Sequence, residues 1–311
     1  MQIVDANSTK QLLPYDALVA ALTEAFAKPH ADVTAPPRLH YGVDDPDGSQ
    51  RTLLIMPAWA DDAGVVVKLV NVVPNNGLRA LPAIQAQVLV ADPQTGAWSV
   101  MIDGATVTAR RTAAASAAAA QFLAPADAKT MLVVGTGRLS LEMVAAHRQV
   151  RPSIERVLVW GRDSDKAAEI AQQIDGGEVA DDLAVACASA QVISCCTLSA
   201  QPLVQGAWVQ PGTHVDLVGA YRPDLRESDG ALVAKSRVFV DTYAGANGEA
   251  GDLLQAQGEG LFDMQNIQAD LHELARGEVV RTADDITLFK SVGASLEDFV
   301  AARLVAAQLA N

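Results

Sequence analysis

Several kinds of residue are scarce in this chain of 311 residues, and each shortage excludes a class of protein. The three cysteines, Cys187, Cys195 and Cys196, have neither the number of a disulfide framework nor the spacing of a metal site. The longest apolar run, Ala113–Ala120, is too short and too weakly hydrophobic to span a bilayer. Basic residues number 23 against 37 acidic ones, and the net charge of −14 argues against a nucleic-acid or anionic-membrane partner.

The rest of the composition is that of an ordinary globular protein. Half of the residues are hydrophobic and 19% are charged, and the length allows a sizeable core in two domains. The first residues, MQIVDANSTKQLLPYD, contain no basic segment followed by an apolar one, so we expect no secretory signal peptide. Cys195 and Cys196 end the apolar segment VISCC, which predicts reduced thiols in a buried strand. We therefore expect a cytoplasmic enzyme or binding protein, without a bound metal.

A glycine-rich turn stands at the centre of the chain, in the segment Lys129–Ser140. The apolar run Met131–Val134 predicts a buried strand, and Gly135-Thr136-Gly137 follows it directly, before a segment of helical composition. A strand, a glycine turn and a helix N-terminus are the parts of a dinucleotide-binding crossover. Ser140 stands where the G-x-G-x-x-G motif has its third small residue. An ordinary structural turn between a strand and a helix is the alternative at this stage.

Two different patterns divide the chain. Up to Ile102, short apolar runs beside an N-terminal helix indicate an α+β domain on a mostly antiparallel or mixed sheet, with a polar loop over Gly42–Gln50. An alanine-rich helix is predicted at Thr106–Leu123. After Pro125, strands alternate with helices, which predicts a parallel, doubly wound sheet. The predicted strands of this sheet are Thr130–Val134, Arg156–Trp160, Val192–Cys196, His214–Leu217 and Val238–Val240.

The end of the chain differs from this alternation. A final helix is predicted at Ser295–Leu309, with Ser295 and Asp298 in a capping arrangement. We find no further strand pattern in Thr287–Gly293, so we expect the final helix to pack on the first domain.

The end of the second parallel strand carries the information on the type of nicotinamide cofactor. An acidic residue at this place accepts a hydrogen bond from the ribose 2′-hydroxyl of NAD, but this chain has Gly161 followed by Arg162. A guanidinium binds a 2′-phosphate well, and Ser164 offers a second donor, which favours NADP(H) over NAD(H). Asp163 is the alternative, because it could turn inward in place of the missing acid. A solvated turn with Arg162 in water is the third interpretation.

Cations interrupt apolar segments of the first domain. Strand alternation places Lys68 on the same face as Val66 and Val70, while Arg38 ends a Pro-Pro segment and Arg110-Arg111 interrupts the alanine-rich helix. Each alone is an ordinary candidate for a surface charge. Together, in an acidic protein, they predict a pocket that binds a carboxylate.

Five stretches of sequence resemble one family. They are KLVNVVPNN at Lys68–Asn76, LVADPQTG with ATVTARRTAAASA within Leu89–Ala117, VVGTGRLS at Val133–Ser140, HVDLVGAYRPDLRESD at His214–Asp229 and ITLFKSVGASLEDF at Ile286–Phe299. In this order and combination they resemble the ornithine cyclodeaminase/mu-crystallin family of nicotinamide-dependent enzymes, over nearly the whole chain.

The resemblance implies an organisation into two domains. Residues 1–115 with 290–311 are expected to form a substrate-binding and dimerisation domain, and residues 116–289 a Rossmann NAD(P)-binding domain. The family forms homodimers, so a homodimer is the expected assembly.

The resemblance, together with the residue chemistry given above, assigns expected roles to individual residues. Lys68 is the expected catalytic group nearest the substrate nitrogen, and Arg38, Lys68, Arg111 and Val292 are the expected substrate-binding residues. The expected cofactor-binding residues are Arg111, Gly135, Thr136, Gly137, Arg138, Leu139, Arg162, Ser164, Thr197, Val218, Gly219 and Ser291. Arg138 and Leu139 replace the small residue and the glutamine that are more frequent in the family, which suggests altered contacts to the pyrophosphate.

Tyr221 is the departure that bears on the reaction. In ornithine cyclodeaminases and related alanine dehydrogenases this position carries an aspartate, which serves as acid and base in the cyclodeaminases. Tyrosine is a poor base at neutral pH, since it ordinarily titrates at about pH 10. The segment GAYRPDLRESD is more similar to the mu-crystallin and ketimine-reductase branch, which reduces cyclic imino acids.

The sequence therefore predicts an NADPH-dependent ketimine reductase of the pyrroline-2-carboxylate type, with Lys68 and Tyr221 as catalytic candidates and NAD(H) as a possible cofactor. One alternative is an ornithine cyclodeaminase that forms L-proline and ammonia, with Asp216 or Asp224 in place of the missing aspartate. The other is a non-catalytic binding protein that depends on NADPH.

Overall fold

The computed structural model describes residues 1–29, 32–44, 50–79 and 81–310. The chain forms two compact units. The first consists of Met1–Arg111 and the segment that starts at Ala294, and the second consists of Thr112–Gly293. None of the helices in these described ranges is long and apolar enough to cross a membrane.

Strands and helices are numbered along the chain. The strands are β1 (Gln2–Val4), β2 (Leu39–Asp44), β3 (Gln50–Ala60), β4 (Gly64–Val72), β5 (Ile84–Ala91), β6 (Trp98–Asp103), β7 (Thr130–Val134), β8 (Arg156–Trp160), β9 (Gly177–Val179), β10 (Val192–Cys195), β11 (His214–Leu217), β12 (Arg237–Val240), β13 (Ala269–Asp270) and β14 (Thr287–Lys290). The helices are α1 (Ala6–Gln11), α2 (Tyr15–Ala27), α3 (Gly104–Leu123), α4 (Arg138–Val150), α5 (Ser164–Ala171), α6 (Leu183–Ser189), α7 (Gly230–Lys235), α8 (Tyr243–Glu249), α9 (Gly251–Gly258), α10 (Leu271–Ala275) and α11 (Ser295–Leu309). Three short 3₁₀ turns lie at Pro74–Arg79, Gly206–Trp208 and Met264–Asn266.

The first unit is built on a six-stranded sheet in the order β1-β6-β5-β4-β3-β2. The pairs from β2 to β6 are antiparallel and β1 is parallel to β6, so the predicted mixed sheet is confirmed. One face of the sheet is covered by α11, which also contacts α2. Leu18, Leu22 and Phe26 of α2 are completely buried, and each such side chain stabilises the unit by about 1.5–3 kcal/mol.

The second unit is built on an eight-stranded parallel sheet in the order β13-β12-β14-β11-β10-β7-β8-β9. The part β9-β8-β7-β10-β11-β14 has the strand order of a Rossmann fold, and the chain reverses its direction of winding between β7 and β10. The predicted doubly wound sheet is therefore confirmed. In open sheets of this kind, ligands bind outside the carboxyl ends of the strands at the point of reversal.

Two local predictions at the end of the chain are wrong. Thr287–Lys290 is a strand, β14, and it lies between β11 and β12 inside the parallel sheet. It was not recognised because four completely buried residues, one of them a lysine, show no alternation of polar and apolar side chains. The predicted cap of α11 by Ser295 and Asp298 is wrong. The N-cap residue is Ala294, whose N–H donates to Glu297 Oε1 at 3.2 Å.

The predicted loop over Gly42–Gln50 is also partly wrong. Residues 42–44 continue β2, and Gln50 begins β3. Residues 45–49 lie outside the described part of the chain.

Candidate active site

The glycine turn joins β7 to α4 in the second unit. Gly135 has φ +138°, a conformation that favours glycine, and a Cβ there would lie 2.9 Å from Cys196 Sγ. The backbone geometry and packing of this unit therefore require Gly135 itself. The turn ends at Gly137, which is the N-cap of α4.

Gly137 has no such requirement. Its φ of −89° suits any residue, and a Cβ placed on it would meet no protein atom within 4 Å. It stands at the N-terminus of α4, where the helix dipole stabilises an anion. A bare backbone at this place fits the close approach of a pyrophosphate, so the turn has the features of a dinucleotide-binding turn.

Ser140, which departs from the small residue of the motif, stabilises the turn. Its side chain is completely buried, and Oγ donates to the carbonyl of Gly135 at 2.9 Å. Oγ also lies 3.5 Å from Cys196 Sγ, a thiol whose pKa is raised to about 12 by burial. Of the other three predicted contacts in the turn, Arg138 is exposed, and Thr136 and Leu139 are half-buried.

The residues after β8 bear on the choice between NADP(H) and NAD(H). Gly161 packs against the turn, since a Cβ there would lie 2.4 Å from Thr136 Cγ2, and a side chain at this position would displace that of Thr136. Asp163 is the N-cap of α5, where its Oδ1 accepts from the N–H groups of Asp165 and Lys166 at 3.2 Å each. The Asp163 carboxylate is thus engaged at the helix end. Arg162 is exposed beside it, and Ser164 begins the helix.

The remaining predicted cofactor residues follow three neighbouring strands of the same sheet. Thr197 follows β10, Val218 and Gly219 follow β11, and Ser291 follows β14, with Val292 next to it. The carboxylate of Asp241 holds the last of these segments, because its Oδ2 accepts from Ser291 Oγ at 3.0 Å, Val292 N at 2.7 Å and Gly293 N at 2.6 Å. All these segments therefore lie at the carboxyl edge of the sheet.

Tyr221 lies just beyond Gly219 and packs, half-buried, against the core of the second unit. The two acids considered as substitutes for a catalytic aspartate have other partners. Asp216 is completely buried within β11, where it accepts from Ser194 Oγ at 2.9 Å, and burial raises its pKa to about 7. Asp224 is exposed and bonds to the guanidinium of Arg222.

Lys68 and Arg111 are buried in the first unit, which rules out the interpretation as surface charges. Lys68 Nζ lies 2.8 Å from Oδ1 and 2.7 Å from Oδ2 of Asp298, and both side chains are 1% exposed. Arg111 NH1 lies 2.6 Å from Glu297 Oε2, and Arg111 Nε lies 3.1 Å from Asp298 Oδ1. The two cations and two carboxylates thus form one buried cluster, which we call the Lys68 cluster.

Burial and the neighbouring charges tune Lys68. Burial lowers its pKa to about 8, and the positive charges of Arg111 and Arg38 act in the same direction, whereas Asp298 opposes them. Arg38 is half-buried. A lysine with such a pKa exists in both protonation states near neutral pH, which suits a group that exchanges a proton with a substrate.

Arg110, the neighbour of Arg111, has a different place. Its Nε donates to the carbonyl of Leu13 at 3.0 Å, and its guanidinium lies 3.7 Å from the centre of the Tyr15 ring. It therefore ties α3 to the N-terminal helices, and we do not count it among the substrate-binding cations.

Glu297 and Asp298 were missed as site residues from the sequence. The signal is weak, because an acidic pair in the first turn of a helix is ordinarily explained by the helix dipole. Within the described residues, no group of three or more His, Cys, Asp or Glu side chains could hold a metal ion. All three cysteines are free thiols.

The comparison with known proteins bears on the family of the chain. The model of the ornithine cyclodeaminase/mu-crystallin family matches residues 2–311. The chain belongs to this family. The resemblance inferred from the five segments is thereby confirmed.

Three relatives illustrate the family. A Delta(1)-pyrroline-2-carboxylate reductase of Paracoccus denitrificans is 36% identical over 266 residues, which cover 84% of each chain. The ketimine reductase mu-crystallin of Rattus norvegicus is 34% identical and covers 96% of this chain and 92% of its own. The structure of the Thermococcus litoralis Delta(1)-pyrroline-2-carboxylate reductase with NADH and L-proline has a TM-score of 0.92 and 29% identity, and covers 100% of this chain and 98% of that chain.

Proposed function

We propose that this protein is an NAD(P)H-dependent reductase of cyclic imino acids, which converts the C=N bond of a compound such as pyrroline-2-carboxylate into the amine of a cyclic amino acid. The observation that carries the proposal is the buried Lys68 cluster. It combines a lysine of lowered pKa with an arginine in a water-poor setting, and the substrate offers an imine nitrogen and a carboxylate to such a pair.

The chemistry assigns a separate task to each side chain. The reduction adds a hydride to the imine carbon and a proton to the nitrogen, and when bound, the nicotinamide supplies the hydride. The ammonium form of Lys68 can donate the proton more readily than an ordinary lysine, since burial lowers its pKa to about 8. Arg111 and Arg38 hold the carboxylate, which fixes the orientation of the carbon that is reduced. Asp298 keeps Lys68 Nζ in place through contacts at 2.7 and 2.8 Å.

The relatives support this reaction. Those of Paracoccus and Rattus are named as reductases of this chemistry, and the Thermococcus structure contains NADH and L-proline, the reduced form of a five-membered cyclic imino acid. Tyr221 supports it too, because a cyclodeaminase must deprotonate a side-chain amine and tyrosine is a poor base at neutral pH.

One pair of assays tests the proposal. The protein is mixed with NADPH or NADH and pyrroline-2-carboxylate, and consumption of the reduced cofactor is followed by absorbance. In parallel, L-ornithine with NAD⁺ is tested for release of ammonia. We expect turnover in the first assay alone. Ammonia release alone would indicate a cyclodeaminase, and tight cofactor binding without turnover in either assay would indicate a binding protein.

We propose NADP(H) as the preferred cofactor, with NAD(H) as the weaker one. Arg162 is exposed at the end of β8 with Ser164 two residues on, and Asp163 is engaged as a helix cap. A guanidinium and a hydroxyl at this place suit a 2′-phosphate. The Thermococcus structure contains NADH, which shows that a fold this similar also serves the other cofactor.

We also propose a homodimer formed through the outer face of the first unit's sheet. Strand register places Leu39, Tyr41 and Val43 of β2 on the same face as Trp59 of β3 and Val65 of β4, and all five side chains are exposed. A continuous apolar face of this kind marks a protein interface. Light scattering on the wild type and on a Tyr41→Lys variant tests it, and we expect a dimer that the substitution weakens. A monomeric wild type would contradict this assignment.

The division of the chain into two compact units, at residues 111 and 294, supports two proposed domains whose bounds differ from these by four residues. We assign substrate binding and dimerisation to residues 1–115 with 290–311, and cofactor binding to residues 116–289. The free thiols agree with a cytoplasmic setting, which stays a proposal.

A further inference from the structure

A buried carboxylate joins two of the segments at the carboxyl edge of the parallel sheet. Glu227 is completely buried. Its Oε1 accepts from the N–H of Thr197 at 2.6 Å and from Thr197 Oγ1 at 2.9 Å, and its Oε2 accepts from the N–H of Gly219 at 2.7 Å. These two residues follow the adjacent strands β10 and β11, so one side chain sets the distance between the ends of both strands.

A second pair of buried charges holds Glu227 from the other side. Asp252 Oδ1 accepts from the N–H groups of Glu227 at 2.7 Å and Ser228 at 2.9 Å. Asp252 Oδ2 lies 3.1 Å from Lys290 Nζ at the end of β14, and this ammonium donates to the carbonyl of Leu217 at 3.3 Å. The network therefore spans three neighbouring strands.

The backbone segments that Glu227 joins, at Thr197 and Gly219, lie too close together for a side chain at position 219. A Cβ on Gly219 would lie 1.7 Å from the carbonyl oxygen of Thr197 and 2.6 Å from Glu227 Oε1, so the two backbone segments touch. Both N–H groups point at the same carboxylate, and each of its two oxygens accepts from one of them. Burial raises the pKa of Glu227, while the charge of Lys290 and these N–H donors favour its ionised form.

Burying a carboxylate costs more free energy than burying an apolar side chain of similar size. We therefore expect Glu227 to have a function in addition to packing. The strand order indicates which part of a bound dinucleotide would lie near Glu227. The glycine turn follows β7 and Arg162 follows β8, so the pyrophosphate and the adenine ribose belong on that side of the reversal point. The other half of a dinucleotide then extends over the ends of β10 and β11, where Glu227 acts.

We propose that Glu227 is a positioning residue for the nicotinamide half of the cofactor, which holds Thr197 and Gly219 at the spacing that this half requires. The inference rests on the proposed use of a nicotinamide cofactor. It concerns how the edge of the sheet is held, and not the reaction.

Calorimetric titration with whole and truncated cofactors tests this role. The probes are NADPH and NADH, together with 2′,5′-ADP and AMP, which lack the whole nicotinamide half. In Glu227→Gln, an amide donor must face one of the two N–H groups, so we expect NADPH and NADH to bind about tenfold more weakly. The truncated probes should bind within about twofold of their wild-type affinity, because they do not reach β10 and β11.

Two further variants keep the test decisive if Glu227→Gln folds poorly. Thr197→Val keeps the shape but removes one donor to Glu227, and we expect the same selective loss at about threefold. Asp216→Asn is the matched control, since it removes a completely buried carboxylate of β11 that contacts Ser194 instead, and it should show no selective loss.

The outcomes are distinct. Unchanged NADPH affinity in a folded Glu227→Gln protein, or an equal loss for whole and truncated probes, would overturn the positioning role. A wild-type protein that binds none of the four probes would instead overturn the proposed cofactor function.

Discussion

The two units of the molecule bury charge in different ways. In the first unit, Lys68 and Arg111 are surrounded by the carboxylates of Glu297 and Asp298, and side chain meets side chain. In the second unit, Glu227 and Asp241 are held chiefly by backbone N–H groups. Lys290 pairs with Asp252, but Asp252 in turn holds two backbone N–H groups.

This difference has a functional consequence. A carboxylate fixed by backbone donors is a rigid anchor, because its partners cannot rotate away. An ion pair between side chains can admit another carboxylate, since ammonium and guanidinium groups have donors in several directions. We infer that the first unit uses buried charge to recognise a substrate, whereas the second uses it to fix the shape of a binding edge.

The largest expected effect comes from removing the cation at the centre of the first unit's cluster. In Lys68→Met the proton donor is lost, and we expect imine reduction to fall by about 10²- to 10⁴-fold. Asp298 loses its closest partner, and breaking a buried pair in this way destabilises a protein by about 3–5 kcal/mol. Steady-state kinetics and urea unfolding measure the two effects.

A double variant separates recognition from stability. Lys68→Met combined with Asp298→Asn leaves Arg111 paired with Glu297 and removes the uncompensated charge. We expect it to regain much of the stability but none of the activity. Wild-type turnover in the single variant would show that Lys68 has no part in the reaction.

In the second unit, replacing only one oxygen of the Asp241 carboxylate should lower the stability of the protein measurably. In Asp241→Asn one acceptor oxygen remains, and we expect it to face Ser291, Val292 and Gly293, while the amide group meets the N–H of Thr242. One unpaired donor contact of this kind costs about 1–3 kcal/mol, which urea unfolding would detect.

Asp163→Asn is the control for this substitution. Asp163 also accepts from two backbone N–H groups, but it is an exposed N-cap, where asparagine serves nearly as well. Equal stability losses in the two variants would show that burial of the Asp241 anchor is unimportant.

The parts of both units that sequence could predict have a local signal. The glycine turn is a run of neighbouring residues, and the alternation of Val66, Lys68 and Val70 indicated that Lys68 shares a face with buried side chains. Alternation and short apolar runs identify strands in both sheets, although not the completely buried β14.

The parts that could not be predicted are contacts between distant residues. Lys68 and Asp298 are 230 positions apart, and Glu227 meets Thr197 across 30. In the sequence, Asp298 looks like a helix cap and Glu227 like one acid in a charged segment, RESD. Both side chains are buried, and their burial cannot be predicted from neighbouring residues because it depends on the complete fold.

The pH dependence of the reaction tests whether Asp298 tunes Lys68. The ammonium form donates the proton, so we expect the rate of reduction to fall as pH rises through about 8. Asp298 raises the pKa of Lys68, against the lowering by burial and by Arg111, so Asp298→Asn should move this falling limb to lower pH. The substrate's own titration cancels in the comparison with the wild type.

Asp241→Asn supplies the contrast from the second unit, because it changes a buried carboxylate that holds the segment Ser291–Gly293. Its limb should stay at the wild-type pH. A limb that is unmoved, or raised, in Asp298→Asn would mean that Lys68 is not the group that titrates.

The smallest effect of a substitution is expected for the exposed charge of Arg162. Arg162 is exposed at the end of β8, and an exposed ion pair contributes about 1 kcal/mol or less, which corresponds to about fivefold in affinity. We therefore expect Arg162→Asp to lower the preference for NADPH over NADH by no more than about fivefold, measured by titration with both cofactors.

Lys129→Asp is the matched control, because it makes the same change of charge at an exposed position that precedes β7, at the opposite edge of the sheet. It leaves the preference unchanged if Arg162 acts locally on the 2′-phosphate. A similar loss in both variants would reduce the effect to net charge, and a stronger preference for NADPH in Arg162→Asp would contradict the assignment. In that case the exposed cation at β8 has no role in choosing the cofactor.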